Sequence, residues 1–316
     1  MPINTLTLAE KLTTALDKLY VQKAKTGFFA DNAMRAKFIG AGTVLIPEAE
    51  FSGLGDYDRD NGFAMGSTTV SHRAYELTMD RGRSFQIDSQ DVDEIGIPGF
   101  SGQVMGEFVR SHVVPESDAY VLSKLASLAV AGSHTVSVGA SSSLEADIYK
   151  MFVDAVAGVQ DYAGDEESLV CFVNYTVFAA IQNSTALSRM IVVSEFKQGD
   201  INLKVSSING IPIIPVSGNR MKTAFTFYDG KTDESGSGGV NQKPGGFVPA
   251  ATAKDVGMLV MPKNVASLVR KTEKVRIWTP DQNQDADAGL FQYRLYYDLI
   301  VKNSKKDSIF AYTYGD

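Results

Sequence analysis

A chain of 316 residues, 44% apolar and 21% charged, has ordinary globular composition and room for one large or two ordinary domains. Its formal net charge of −7 argues against a dedicated nucleic-acid binder, and no apolar run is long enough for a membrane-spanning helix. Cys171 is the only cysteine, which excludes an intrachain disulfide; with no basic, apolar leader at the start, a cytosolic origin is expected.

Residues 5 to 24 read as an amphipathic helix. Thr7 and Glu10 have capping-box spacing, and Leu8, Leu12, Leu16, Leu19 and Tyr20 fall on one stripe. Phe28 to Ile39 has weak periodicity and reads as an extended arm. A long β-hairpin is expected next. Its limbs are Thr43–Phe51 and Ser67–Met79, the second rich in β-branched and aromatic residues, around a glycine- and aspartate-rich tip, Ser52–Gly66. A lone two-stranded ribbon is marginal in water, so cover from outside its own domain is expected.

Asp80-Arg-Gly-Arg83 reads as a turn, Ser84–Asp88 as a short strand and Asp91–Glu94 as an acidic segment, with Ile97-Pro-Gly99 a break. A helical pattern follows from Phe100 to Ala131. Val104, Met105, Phe108 and Val109 form its first apolar face, continued by Tyr120, Leu122, Leu125, Leu128 and Ala129. Pro115 interrupts it, as a kink or as the first residue of a second helix. The span is roughly 45 Å at about 1.5 Å per residue, suited to a rib.

Gly132–Ser143, rich in Ser and Gly, reads as a domain boundary. An α/β order follows: a helix from Leu144 to Tyr162 with Ile148, Met151, Ala155, Val159 and Tyr162 facing inward, a buried strand around Cys171, and a short helix from Tyr175 to Gln182. Strands are expected at Asn202–Val205, Ile211–Val216, Phe225–Tyr228 and Gly257–Met261. Between the last two, Thr232–Thr252 reads as a mobile loop. Ala266–Trp278, Leu290–Val301 and Ser308–Tyr314 complete the chain as strands.

Few residues suggest chemistry. His72, His112 and His134 are scattered, and neither a nucleophile elbow nor a His-Glu-x-x-His motif is present. Gly230-Lys-Thr232 imitates the end of a phosphate loop, but Phe225 stands where its first glycine is required. Asp56-Tyr-Asp-Arg-Asp60 and Asp281-Gln-Asn-Gln-Asp285 approach calcium loops, yet lack the glycine and glutamate in register and read as turns. The basic clusters Arg270–Arg276 and Lys302–Lys306 suit solvated strand edges. No catalytic, cofactor or metal residue is therefore assigned.

The order of these parts, with Met79-Asp-Arg-Gly-Arg-Ser-Phe-Gln-Ile-Asp88, Asp91-Val-Asp-Glu94 and Val104-Met-Gly-Glu-Phe-Val-Arg110 through Val114-Pro-Glu-Ser-Asp-Ala-Tyr120, resembles a tailed-bacteriophage major capsid protein of the Hong Kong 97 type. The resemblance spans the chain in architecture, with its specific wording between about residues 74 and 130. It implies an α+β fold with an N-arm (1–40), an extended E-loop hairpin (41–88), a P-domain spine helix (89–139), an α/β A-domain (140–262) and returning P-domain strands (263–316). Phe51, Leu54, Tyr57, Phe63, Met65 and Tyr75 would be covered by neighbouring copies; Val104, Met105, Phe108, Val109, Pro115, Tyr120 and Leu125 would build the spine.

The implied partners are further copies in hexamers and pentamers, a separate scaffolding protein, a portal, a decoration protein, and packaged double-stranded DNA in loose contact. No membrane and no cofactor are implied, and the place of action is the virion, assembled in the host cytoplasm. Some members weld their shells through an E-loop lysine; here no lysine occurs from 38 to 123, so that chemistry is not expected. The alternatives are an encapsulin-type compartment and, from another class, an α/β enzyme using residues 140–262.

Overall fold

The computed structural model describes residues 24–30, 37–39, 42–60, 62–88, 100–138, 144–164, 168–184, 191–198, 201–233 and 239–314. The helix expected over 5–24 lies outside them save for its last residue, and the acidic segment at 91–94 lies outside them entirely. The helices are α1 (Phe100–Phe108), α2 (Val114–Ala131), α3 (Leu144–Ala163) and α4 (Tyr175–Asn183). The strands begin with β1 (Lys37–Ile39), β2 (Thr43–Phe51), β3 (Thr68–Glu76), β4 (Met79–Asp88) and β5 (Thr135–Val138). Next come β6 (Leu169–Asn174), β7 (Ile191–Gln198), β8 (Ile201–Ile208), β9 (Ile211–Val216) and β10 (Phe225–Phe227). Last are β11 (Phe247–Pro249), β12 (Asp255–Pro262), β13 (Ala266–Trp278), β14 (Ala288–Val301) and β15 (Phe310–Tyr314).

Two sheets share one helix. The larger has seven strands in the order β5-β15-β12-β6-β9-β8-β7. Period-two alternation sends successive β6 side chains to opposite faces, and both faces are apolar. Val170 and Phe172 join the core that holds α2, whereas Leu169, Cys171 and Val173 join the core under α3. Burial on both sides explains why β6 reads as an unbroken apolar run. It also pushes the Cys171 thiol above its ordinary range, leaving it inert.

The second sheet, β13-β14-β4, is antiparallel. Phe291, Tyr293, Leu295 and Tyr297 of β14 line one face against Met105 and Val109 and against Val121, Leu122 and Leu125 of α2. The spine helix therefore bridges both sheets within one continuous core. Met105, Val109 and Leu125 are fully buried, while Val104, Phe108, Pro115 and Tyr120 are partly so.

Pro115 does not break the rib. Val109–Val113 form a π turn, and both Val113 and Val114 keep right-handed helical dihedrals, so helix runs from Phe100 to Ala131. A proline cannot donate to the ladder, and its ring crowds the carbonyl four residues back; widening the preceding turn removes both conflicts.

Several expectations are corrected. Met79–Asp88 is one strand paired residue by residue with β14, not a turn followed by a short strand. Gly82 serves close approach instead, because a Cβ there would stand 2.9 Å from the Tyr293 carbonyl oxygen. Gly27–Ala30 is a 3-10 turn rather than extended chain, with Phe28 and Phe29 buried against the Phe172 ring. Strand β5 lies inside the supposed Ser/Gly linker and pairs in parallel with β15. Strand β7 was missed. Tyr162 points outward against His134, and Phe152 takes the inward place. Within Thr232–Thr252, β11 pairs with β10 and Gln242 donates to the Thr232 carbonyl, so the described part of that loop is built.

Candidate assembly surface

The hairpin projects from the β13-β14-β4 sheet. Strands β2 and β3 pair over nine positions, from Thr43↔Glu76 to Phe51↔Thr68. At its neck the Ser52 amide donates to the Ser67 carbonyl at 3.0 Å, and the Ser67 amide donates to the Ser52 hydroxyl at 2.8 Å. The tip is folded back on itself. Asp58 and Gly62 exchange backbone hydrogen bonds of 3.1 and 2.7 Å, Gly62 supplying the left-handed φ of 85° that the turn requires. The Asp58 carboxylate accepts from the Asp60 amide at 2.9 Å, which is turn-forming work. Tyr57 and Phe63 meet edge to face, with ring centroids 4.9 Å apart.

This preformed tip turns its apolar side chains to solvent. Relative exposure is 75% for Phe51, 107% for Leu54, 59% for Tyr57, 88% for Phe63 and 103% for Met65. Five large apolar residues on one short projection form the kind of patch that marks an interaction site. Tyr75 differs from them. It is half-buried beside the root cluster of Val44, Ile46, Leu77, Val269 and Ile300, so its own subunit already covers it.

Two buried carboxylates, neither recognised from sequence, fix the foot of the hairpin and the first described residues of the chain. Asp298 in β14 accepts from the Thr78 amide at 3.1 Å and hydroxyl at 3.0 Å, from the Tyr120 hydroxyl at 2.6 Å and from the Lys124 amine at 2.5 Å. Thr78 is the junction between hairpin and β4, so this node ties the hairpin root to α2. Burial, with the Asp298 carboxylate alongside, pushes the Tyr120 phenol above its ordinary range.

Asp118 of α2 accepts from the Thr26 amide at 3.1 Å and hydroxyl at 2.7 Å, from the Lys25 amide at 3.2 Å and from Arg220 at 3.3 Å. Burial raises its carboxyl above the usual range, with the Thr26, Lys25 and Arg220 donors pulling the other way. One signal was available for Asp298: it sits inside the otherwise apolar run Leu295–Val301. Asp118 gave none, since a helix starting at Pro115 would put this acid near its N-terminus, where the helix dipole already suits it.

The remaining candidates fall apart in space or take structural work. His72 lies opposite Pro47 in the hairpin, His112 beside the Phe108 ring, and His134 between Tyr162 and Asp307. In Gly230-Lys-Thr232, the Asp229 carboxylate accepts from the Lys231 and Thr232 amides at 2.8 and 2.9 Å, so an anion already fills that turn. Those bonds, the Thr232 hydroxyl first, pull Asp229 down to about 2. Asn283 caps its own turn by accepting from Asp285 and donating to Ala288. A cleft of about 440 Å³ lies between β4, the π turn and the 228–246 loop. Its charged walls bind each other: Arg81 pairs with Glu116 at 2.6 Å and donates to the Tyr228 carbonyl, and Arg83 donates to the Lys243 carbonyl.

No family model matches the chain, and no curated protein does. Solved structures do. One titled as the asymmetric unit of the bacteriophage PhiM1 mature capsid aligns with a TM-score of 0.56 at 12% identity, over 87% of this chain and 83% of that one. The chain has a phage-capsid fold. The capsid structure of the cyanophage P-SCSP1u gives a TM-score of 0.56 at 14% identity, over 89% and 85% of the two chains. A virus-like particle from Pyrococcus furiosus gives 0.51 at 9%, over 96% and 99%. With so few residues in common, what this chain shares with those structures is its mixed α+β fold.

Proposed function

We propose that this protein is the major capsid protein of a tailed phage, assembling through its hairpin into hexamers and pentamers of an icosahedral head around double-stranded DNA. One observation carries the reading. The chain has the capsid fold, and its best-formed projection ends in apolar side chains that its own subunit leaves uncovered. In an assembled shell, the ribbon of one copy lies on the next in a heterologous contact that closes into rings. Residues 1–40 then act as the N-arm, 89–139 and 263–316 as the P-domain, and 140–262 as the A-domain. A separate scaffolding protein, a portal and a decoration protein are the further partners this role implies. Packaged DNA touches the shell loosely, as suits a chain of net charge −7. The role is structural, with no catalytic step, and the place of action is the virion after assembly in the host cytoplasm.

Negative-stain electron microscopy of the purified protein tests this. Closed shells or rings of capsomers are expected; a monomer at every protein and salt concentration overturns the proposal. Particles that hold protein cargo and exclude DNA would instead indicate an encapsulin-type compartment.

A further inference from the structure

We propose that the 118–124 stretch of α2 couples the root of the N-terminal segment to the root of the hairpin, so that loosening either one loosens the other. The two buried nodes meet on this stretch. Asp118 holds Lys25 and Thr26, at the start of the described chain, and also reaches Arg220 in the turn at Gly218–Arg220. Tyr120 and Lys124 hold Asp298, which in turn holds Thr78 at the foot of the hairpin. The attachments lie within about 9 Å along one helix.

Close packing makes the link physical. Ala119, Val121, Leu122 and Leu125 lock this part of α2 between the two sheets, so it moves as a body. A rotation or slide that withdraws Asp118 from Thr26 also displaces Tyr120 and Lys124 from Asp298. The converse holds equally, because a coupling free energy is reciprocal. The coupling is a property of the folded subunit and stands independently of whether the protein builds shells.

Backbone amides report each node directly, since Lys25, Thr26 and Thr78 donate their own N–H groups to the carboxylates. Hydrogen exchange is measured on the full chain, wild type against Thr26→Val and Tyr120→Phe, each of which removes a single hydroxyl. Rates are read relative to amides of β6 in the central sheet, which removes any general loss of stability. Thr26→Val is expected to speed exchange at Thr78 by at least about threefold, and Tyr120→Phe to speed Lys25 and Thr26 by a similar factor. Acceleration confined to the altered node, or no greater than that of β6, overturns the coupling.

Discussion

Individual side chains in this molecule divide by burial, and the two kinds of ion pair predict opposite mutational behaviour. Asp298 is buried with five donor groups converging on it, the Leu299 amide among them, so Asp298→Ala takes an acceptor from Thr78, Tyr120, Lys124 and Leu299. A loss of about 3 kcal/mol or more is expected in denaturant unfolding. Asp80 pairs with Arg294 at 2.5 Å in the open, so Asp80→Asn should leave the unfolding midpoint almost unmoved. Equal effects from the two substitutions would contradict this division. Asp229 supplies a pH test. Its folded-state pKa is depressed to about 2, so its contribution is complete above the ordinary carboxylate range and disappears as pH falls through about 2. The Thr232 amide resonance should therefore titrate with a midpoint near 2; a midpoint near the ordinary value of 3.8 would show that the turn does not hold the carboxylate. At this scale the sequence was only partly legible. It marked the apolar tip residues, because a hairpin tip has no local neighbours to cover them. It could not mark Asp118, whose role depends on Thr26, 92 residues away in the chain, or the half-burial of Tyr75 against a cluster that includes Val269 and Ile300.

Elements were legible where one local period governed them. The spine pattern survives because its apolar face meets both sheets along its length, so each turn of helix has a place to bury side chains. Substituting Val109→Pro tests that reading. It would put a second proline at the mouth of the π turn, remove an N–H from the helix ladder and press a ring into the preceding turn, at a cost of about 3 kcal/mol or more. Unchanged thermal stability would mean that α1 and α2 do not act as one rib. Two elements take a conformation that their composition alone does not indicate. Asp80-Arg-Gly-Arg83 looks like a turn, but ten register pairs with β14 override its weak propensity, and glycine is there to admit the neighbouring carbonyl. The Ser- and Gly-rich residues after Ala131 hid β5, whose partner β15 lies at the far end of the chain. Strand β7 is different: it is the outer edge of the seven-stranded sheet, and its one partner in that sheet, β8, is the next element in the chain.

For the whole molecule, the question is why a folded plate carries a ribbon that ends in exposed aromatics. Each large apolar side chain fully covered is worth about 1.5–3 kcal/mol, so on the proposed reading a tip of five would supply a substantial contact between copies. Removing Leu54–Met65 separates this contact from folding. The deletion joins Gly53 to Gly66 between Ser52 and Ser67, whose backbones are already hydrogen-bonded across the neck. A Gly-Gly loop of two residues is a favoured hairpin connection, so β2 and β3 should keep their nine-position register. The root cluster around Val44, Ile46 and Leu77 lies at the other end of the ribbon and loses nothing. The shortened chain is therefore expected to fold with wild-type unfolding behaviour while giving only unassembled subunits by electron microscopy and sedimentation. Closed particles from this variant would show that the tip is not the clamp. Particles of the undeleted chain test a second consequence of the proposed contact. With no lysine between 38 and 123, a covalent weld from the ribbon is not expected, and boiling in denaturant should release single 34.2 kDa chains. A ladder of covalent oligomers on the gel would place the weld on lysines elsewhere in the chain and make burial at the tip a minor part of what holds the shell.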